Sequence, residues 1–173
     1  NIGVAGALSI DAGTLSIGST YTLSVTGATG ITGTLSIPST GNQTFGGLLT
    51  INNGATLTTS NDPTFTLQGG ILNNGTFTSG AGTYTFNTNN QSISGDATTT
   101  FGGDVAISGA ITLQNSNTDT VTITGDLTGT EGGSTYQNNA NATTDFKGAV
   151  LSTGTLTASA SPNDIYYTGG SAQ

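Results

Sequence analysis

The phrase GTLSI at residues 13–17 returns as GTLSI at 33–37, then in looser form as GATLT at 54–58 and GTFTS at 75–79. The glycines that open these phrases, Gly13, Gly33, Gly54 and Gly75, stand 20, 21 and 21 residues apart. Eighteen residues after them come Ile31, Ile51, Leu72 and Ile93, and eleven or twelve after come Val25, Phe45, Phe65 and Phe86. With Leu15, Leu35, Leu57 and Phe77 near the start of each unit, three apolar positions recur per repeat. Inside the units the alternation has period two, as in Tyr21-Thr22-Leu23-Ser24-Val25 and Thr64-Phe65-Thr66-Leu67, the pattern of a half-buried strand.

Three short strands per unit of about 20 residues, with Gly or Asn at the corners, are what one coil of a parallel β-helix requires. No single coil can bury its own apolar residues, so stacked coils share one core. The register returns from Gly109 (Ile111, Val121, Leu127) and from Gly154 (Leu156, Tyr166). The expectation is therefore an all-β, single-domain β-solenoid of about eight coils, roughly 35–40 Å long at the spacing of paired strands. Its parts would be an N-terminal apolar strand (1–12), repeats (13–130), a loop-like insertion (131–153) and a last coil with the C-terminus (154–173). Residues 96–108 also leave the register and read as a short or looped-out coil. The competing fold is an antiparallel β-sandwich with a donated strand, which would explain the alternation but not the spacing. The expected core columns are Ile31, Ile51, Leu72, Ile93 and Leu127. The pairs Asn52-Asn53 and Asn73-Asn74 are expected to stack as a corner ladder of side-chain amides, with Asn-Gly hairpin turns as the competing reading.

Composition agrees with strands and removes several functions. Gly, Thr, Ser and Asn supply 98 of the 173 residues, while Leu, Ile, Val and Phe supply 36, so the core is thin and helices have few good formers. One Lys, no Arg and a net charge of −8 leave nothing to neutralise phosphates, which rules against nucleic acid and an anionic membrane. Without His or Cys there is no Ser-His-Asp triad, thiolate, histidine-held metal or disulfide. Apolar runs are too short for membrane insertion. The first residue, Asn1, is not Met, which suggests a removed leader; with the uncharged Thr/Asn/Gly-rich surface, this points to an extracellular or cell-surface location.

Residues 82–114, GTYTFNTNNQSISGDATTTFGGDVAISGAITLQ, resemble the degenerate repeats of bacterial secreted β-helix proteins, the autotransporter-passenger and haemagglutinin-like adhesins. The likeness extends over about residues 13–130. It implies a parallel β-helix outside the cell with a structural or adhesive role and no catalytic residues. The chain is far shorter than large adhesins, which favours a small assembling subunit.

The candidate sites follow. The carboxylates Asp11, Asp62, Asp96, Asp104, Asp119, Asp126, Glu131, Asp145 and Asp164 include no spacing that places a catalytic pair on one face, and the reading is non-enzymatic. No cofactor is expected; structural calcium at Asp119 or Asp126 is the one metal use left open, against loop carboxylates that bond their own backbone. Of Tyr166 and Tyr167, neighbours on a strand, one should face the core and the other solvent. The segment NIGVAGALSI, with Ile2, Val4, Ala5, Ala7, Leu8 and Ile10, is the least polar decapeptide and has two uses: a first coil of its own rod, or a strand added to a neighbouring copy. The function expected is a structural subunit of an extracellular filament or surface fibre that joins itself head to tail. The alternative is an adhesive or glycan-binding fragment of a larger β-helical surface protein.

Overall fold

The computed structural model describes residues 1–170, and among them every regular element is a strand. The chain winds through coils of three. These are β1 (Ile2–Val4), β2 (Leu8–Ile10) and β3 (Thr14–Ser16); β4 (Leu23–Val25), β5 (Thr29–Ile31) and β6 (Thr34–Pro38); β7 (Gln43–Phe45), β8 (Leu49–Ile51) and β9 (Thr56–Ser60); and β10 (Phe65–Leu67), β11 (Ile71–Asn73) and β12 (Thr76–Thr78). The path continues through β13 (Tyr84–Asn87), β14 (Gln91–Gly95) and β15 (Thr99–Phe101); β16 (Val105–Ser108), β17 (Thr112–Asn117) and β18 (Thr120–Ile123); and β19 (Leu127–Gly129), β20 (Thr135–Asn138) and β21 (Thr143–Phe146). Val150, bridged to Leu127, and β22 (Thr155–Thr157) and β23 (Asp164–Tyr167) complete an eighth turn. All pairings are parallel, each strand lying on its counterpart one coil away. The protein is a single β-solenoid, and the sandwich alternative falls because no antiparallel pair is present among the described strands.

The alternation read from sequence is the mechanism of the core. On the first face Leu23, Phe65, Tyr84, Val105 and Leu127 share one inward column and are all at most 1% exposed, while Ser24, Thr44, Thr66 and Thr85 stand outside. Burial of such side chains contributes about 1.5–3 kcal/mol each. Corners close only where no Cβ intervenes. A Cβ on Gly47 would lie 2.6 Å from the Ala28 nitrogen and 2.7 Å from the Gly27 carbonyl carbon, so the coils touch backbone to backbone there.

The core columns need correction. Ile31 does lie on Ile51, but Ile51 lies on Asn73, and Ile93 lies on Ile71. Leu72 pairs with Thr50 and Ser94, half-buried on the outer surface, and Leu127 belongs to the first face instead of the second. The step between coils varies from 19 residues (Phe65 to Tyr84) to 23 (Leu113 to Tyr136), so a constant offset drifts by a residue or two. A slip of one residue turns a side chain to the opposite face. The same slip alters the corner ladder. Asn73 is fully buried in β11, and Asn52 and Asn74 occupy equivalent corners. Asn52 Nδ2 donates to the Ile31 carbonyl (2.9 Å) and the Asp96 amide donates to Asn74 Oδ1 (3.1 Å). Asn53 lies exposed in the turn that ends at positive-φ Gly54, and no hydrogen bond joins any two of the four amides.

Residues 96–108 are a regular part of the fifth and sixth coils, holding β15 and the whole of β16. Residues 131–153 likewise hold β20 and β21, paired on both sides, in place of a loop-like insertion. Their low apolar content hides this, because β20 and β21 turn Asn138 and Thr144 inward beside Tyr136 and Phe146.

The third face is the one that breaks. β3, β6, β9 and β12 form one four-stranded sheet and β15, β18, β21 and β23 another. In place of strand pairing at the step, Asn73 Nδ2 donates to the Thr98 carbonyl (3.0 Å), Ser79 Oγ donates to the Thr100 carbonyl (2.6 Å) and the Gly102 amide donates to Ser79 Oγ (2.8 Å). Beneath these bridges Phe77, Tyr84, Phe86 and Phe101 pack edge to face at centroid distances of 5.0–6.0 Å.

Candidate interaction surface at the two ends of the solenoid

Interior columns are sealed by coils on either side; the end columns are not. At the N-terminal end β1, β2 and β3 are edge strands, each with a row of backbone donors and acceptors facing no strand. Ile2, in register with the 1%-exposed Leu23, is 41% exposed, and Val4, Leu8 and Leu15 are half-buried. The segment 1–10 therefore makes the first coil of its own rod: Ile2 to Val4 pair with Leu23 to Val25, and Leu8 to Ile10 with Thr29 to Ile31. Within the segment Ile10 is already buried, and Ala5 and Ala7 sit exposed at the corner, so only Ile2, Val4 and Leu8 present apolar surface along the axis.

The C-terminal end mirrors this. Val150, Leu156 and Ile165 are half-buried, and Tyr167 lies in register with the buried Phe146, their rings 5.6 Å apart. Tyr167 is nevertheless 48% exposed because, among the described residues, no strand lies beyond β23, and Tyr166 points outward at 51%. The expected division of the two tyrosines holds in direction, but the inward one is bare.

The carboxylates serve the coil corners. Asp62 Oδ1 accepts from the Ala81 amide (2.7 Å), Asp104 Oδ1 from the Asp126 amide (2.9 Å), and Asp126 Oδ1 from the Ala149 amide (2.8 Å). Each acid so placed ties its coil to the next. Asp119 accepts from Thr98 Oγ1 (3.0 Å), from its neighbour's amide and, through its own amide, donates to Asn117 Oδ1. Asp145 accepts from Thr168 Oγ1 (2.6 Å) and pairs with the exposed Lys147 at 3.9 Å, while Asp11 accepts from Ser9 Oγ. Among the described residues no three or more His, Cys, Asp or Glu side chains gather as a metal set, no pocket indents the surface, and no helix is long and apolar enough to cross a membrane.

Sequence reasoning missed a buried amide network in the later coils. Asn115 Nδ2 donates to Asn138 Oδ1 (3.0 Å), to Thr144 Oγ1 (2.9 Å) and to the Thr143 carbonyl (3.0 Å). Asn138 Nδ2 donates to the Ala142 and Asp164 carbonyls, Asn117 Nδ2 to the Ala97 carbonyl and Thr99 Oγ1, and Tyr136 Oη bonds Thr144 Oγ1 at 3.0 Å. Burial pushes the phenols of Tyr84 and Tyr136 up from their ordinary value, Tyr136 further. The signal was present in the alternation Leu113-Gln114-Asn115-Ser116-Asn117, where Asn falls on inward positions.

These features define a β-solenoid protein with two uncovered, apolar, strand-edged ends. Compared with protein-family models, with curated proteins and with solved structures, the chain finds no match in any of the three.

Proposed function

We propose that the chain is a non-catalytic structural unit of an extracellular filament or surface fibre, extended head to tail by a second copy. The observation that carries this reading is the bare state of the inward columns at both ends, Ile2 on one side and Tyr167 on the other, above open strand edges. Parallel coils have two unlike ends, so joining them is a heterologous contact that does not close, the geometry of an open filament. The resemblance of residues 82–114 to secreted β-helix repeats and the uncharged Thr/Asn/Gly-rich surface support an exterior location.

Light scattering and electron micrographs of the purified chain test the reading. Rods much longer than one molecule should form as concentration rises, and Ile2→Asp, a charge placed on an exposed end, should suppress them while the chain stays folded. Deleting residues 1–10 is the weaker test, because it only uncovers the next coil's edge, with Leu23 and Val25. Intact protein that stays monomeric at high concentration would overturn the filament. The second reading, a fragment of a larger β-helical adhesin or glycan-binding surface protein, draws on the unlike cross-sections of the first and last coils and on the exposed Tyr166.

A further inference from the structure

We infer that a joint between two copies is stepped: only the first face runs through it in register, with Val150 of one copy meeting Ile2 of the next. The inference rests on the head-to-tail reading above and specifies its contact. On the first face one inward column keeps its register from Ile2 through Leu23, the buried Gln43 and Phe65 to Val105, Leu127 and Val150, so both of its ends expose the same position of the coil. The other two faces change along the rod. On the second, Leu156 continues the column of Leu113 and Tyr136, two residues away from the column that begins at Leu8 and passes through Ile71 and Ile93 to Asn115. On the third, β3 and β23 lie in different sheets, separated within the chain by the step between β12 and β15.

A second copy laid on the last coil therefore has to make the reverse step, and it meets Ile165 and the bare ring of Tyr167 where an aligned β3 would have brought Leu15. The chain itself shows that such a step can be bridged, by Asn73 and Ser79, without strand pairing. A second copy is the occupant that brings the same parallel edge and a matching first-face column.

The chain has no cysteine, so engineered pairs report the joint alone. Adjacent strands lie about 4.7–4.9 Å apart, inside the Cα separation of about 4.4–6.8 Å that a disulfide spans. Ile2→Cys chains mixed with Val150→Cys chains, oxidised at a concentration that forms particles, should give a covalent dimer on a non-reducing gel. Leu15→Cys mixed with Ile165→Cys, inward positions of the two end strands on the third face, should give at least tenfold less while forming particles equally well. Each single substitution lies at an exposed or half-buried end, and circular dichroism of each partner confirms that it is folded before mixing; where a first-face partner fails, the exposed pair Asn1→Cys and Ala149→Cys, one residue earlier in the same register, replaces it, and where Ile165→Cys fails, Tyr167→Cys does. Equal dimer from the third-face pair, or none from the first-face pair in the presence of particles, overturns the stepped joint and leaves the filament standing. Absence of particles from the unmodified chain overturns the filament itself, and the joint with it.

Discussion

The first four coils and the last four solve the same packing problem with different chemistry. In the first four, the second face turns Leu8, Leu49, Ile71 and the column Ile10–Ile31–Ile51 inward, the preceding corner is a backbone contact between glycines, and the third face stacks Leu15, Leu35, Leu57 and Phe77. In the last four, the positions level with that glycine corner carry Leu113, Tyr136 and Leu156, and the columns below hold Asn115, Asn117 and Asn138. The apolar positions have moved two residues along the strand and a satisfied amide network has taken the vacated place. A closed column of inward side chains is what stacking demands. Whether it is aliphatic or amide is secondary, provided that every buried donor and acceptor finds a partner.

The largest effect should come from breaking the aliphatic half. Ile51→Asp places a carboxylate between Ile31 and Asn73 in a fully buried column, at a cost of several kcal/mol, comparable to the stability of a whole domain. Loss of the β signal in circular dichroism at room temperature is the expected result, and a folded Ile51→Asp chain would show that the column is not sealed. Next comes an exchange between the two halves. Ile71→Asn sets an amide between Leu49 and Ile93 and should cost about 2–5 kcal/mol, whereas Asn115→Leu, two coils on in the same column, should cost about 1–3 kcal/mol by leaving the Asn117 amide and the Thr143 carbonyl without the Asn115 side chain that they bond. Urea titrations that gave equal losses would erase the distinction between the halves.

Smaller effects sharpen it. Gly47→Ala should lower stability by about 1–3 kcal/mol because its methyl meets backbone that cannot yield, and the midpoint of thermal unfolding reports it. Tyr136→Phe removes the hydroxyl that bonds Thr144 and should cost about 1 kcal/mol at neutral pH. Its pH dependence has a definite sign. Burial raises the folded phenol above the ordinary value near 10, so the unfolded chain releases its proton first. The stability associated with Tyr136 is whole below that value and is lost as pH rises past it, and Tyr136→Phe should unfold less steeply than the native chain in alkaline titration.

Legibility followed the aliphatic content. The GTLSI phrases and the Leu15, Leu35, Leu57 series gave coil, strand and face directly, since large apolar residues at period two leave one orientation. Residues 131–146 read as loop because inward Asn138 and Thr144 look no different in sequence from the outward Thr143 and Gln137 beside them. The end surface was half legible. The apolar character of Ile2, Val4 and Leu8 was plain in the sequence, but that Ile10 is consumed inside and that Tyr167 is an uncovered core position depends on which strand stacks on which.

The sequence by itself determined the coil: its near-20-residue length, its three strands, the parallel stacking that a repeat of that size requires, and the absence of the side chains that bind phosphate, hold metals through imidazole or thiolate, or form triads. Only the tertiary structure decided the register, and with it the split of the third face, the inward turn of the asparagines and the unlike cross-sections of the two ends. The reason is that coil length varies by a few residues at corners, where the chain carries little apolar signal. The choice among neighbouring registers is made by contacts with the coils on either side: backbone against backbone at the glycines, ring against ring at Phe77 and Phe101, and amide against amide at Asn115 and Asn138.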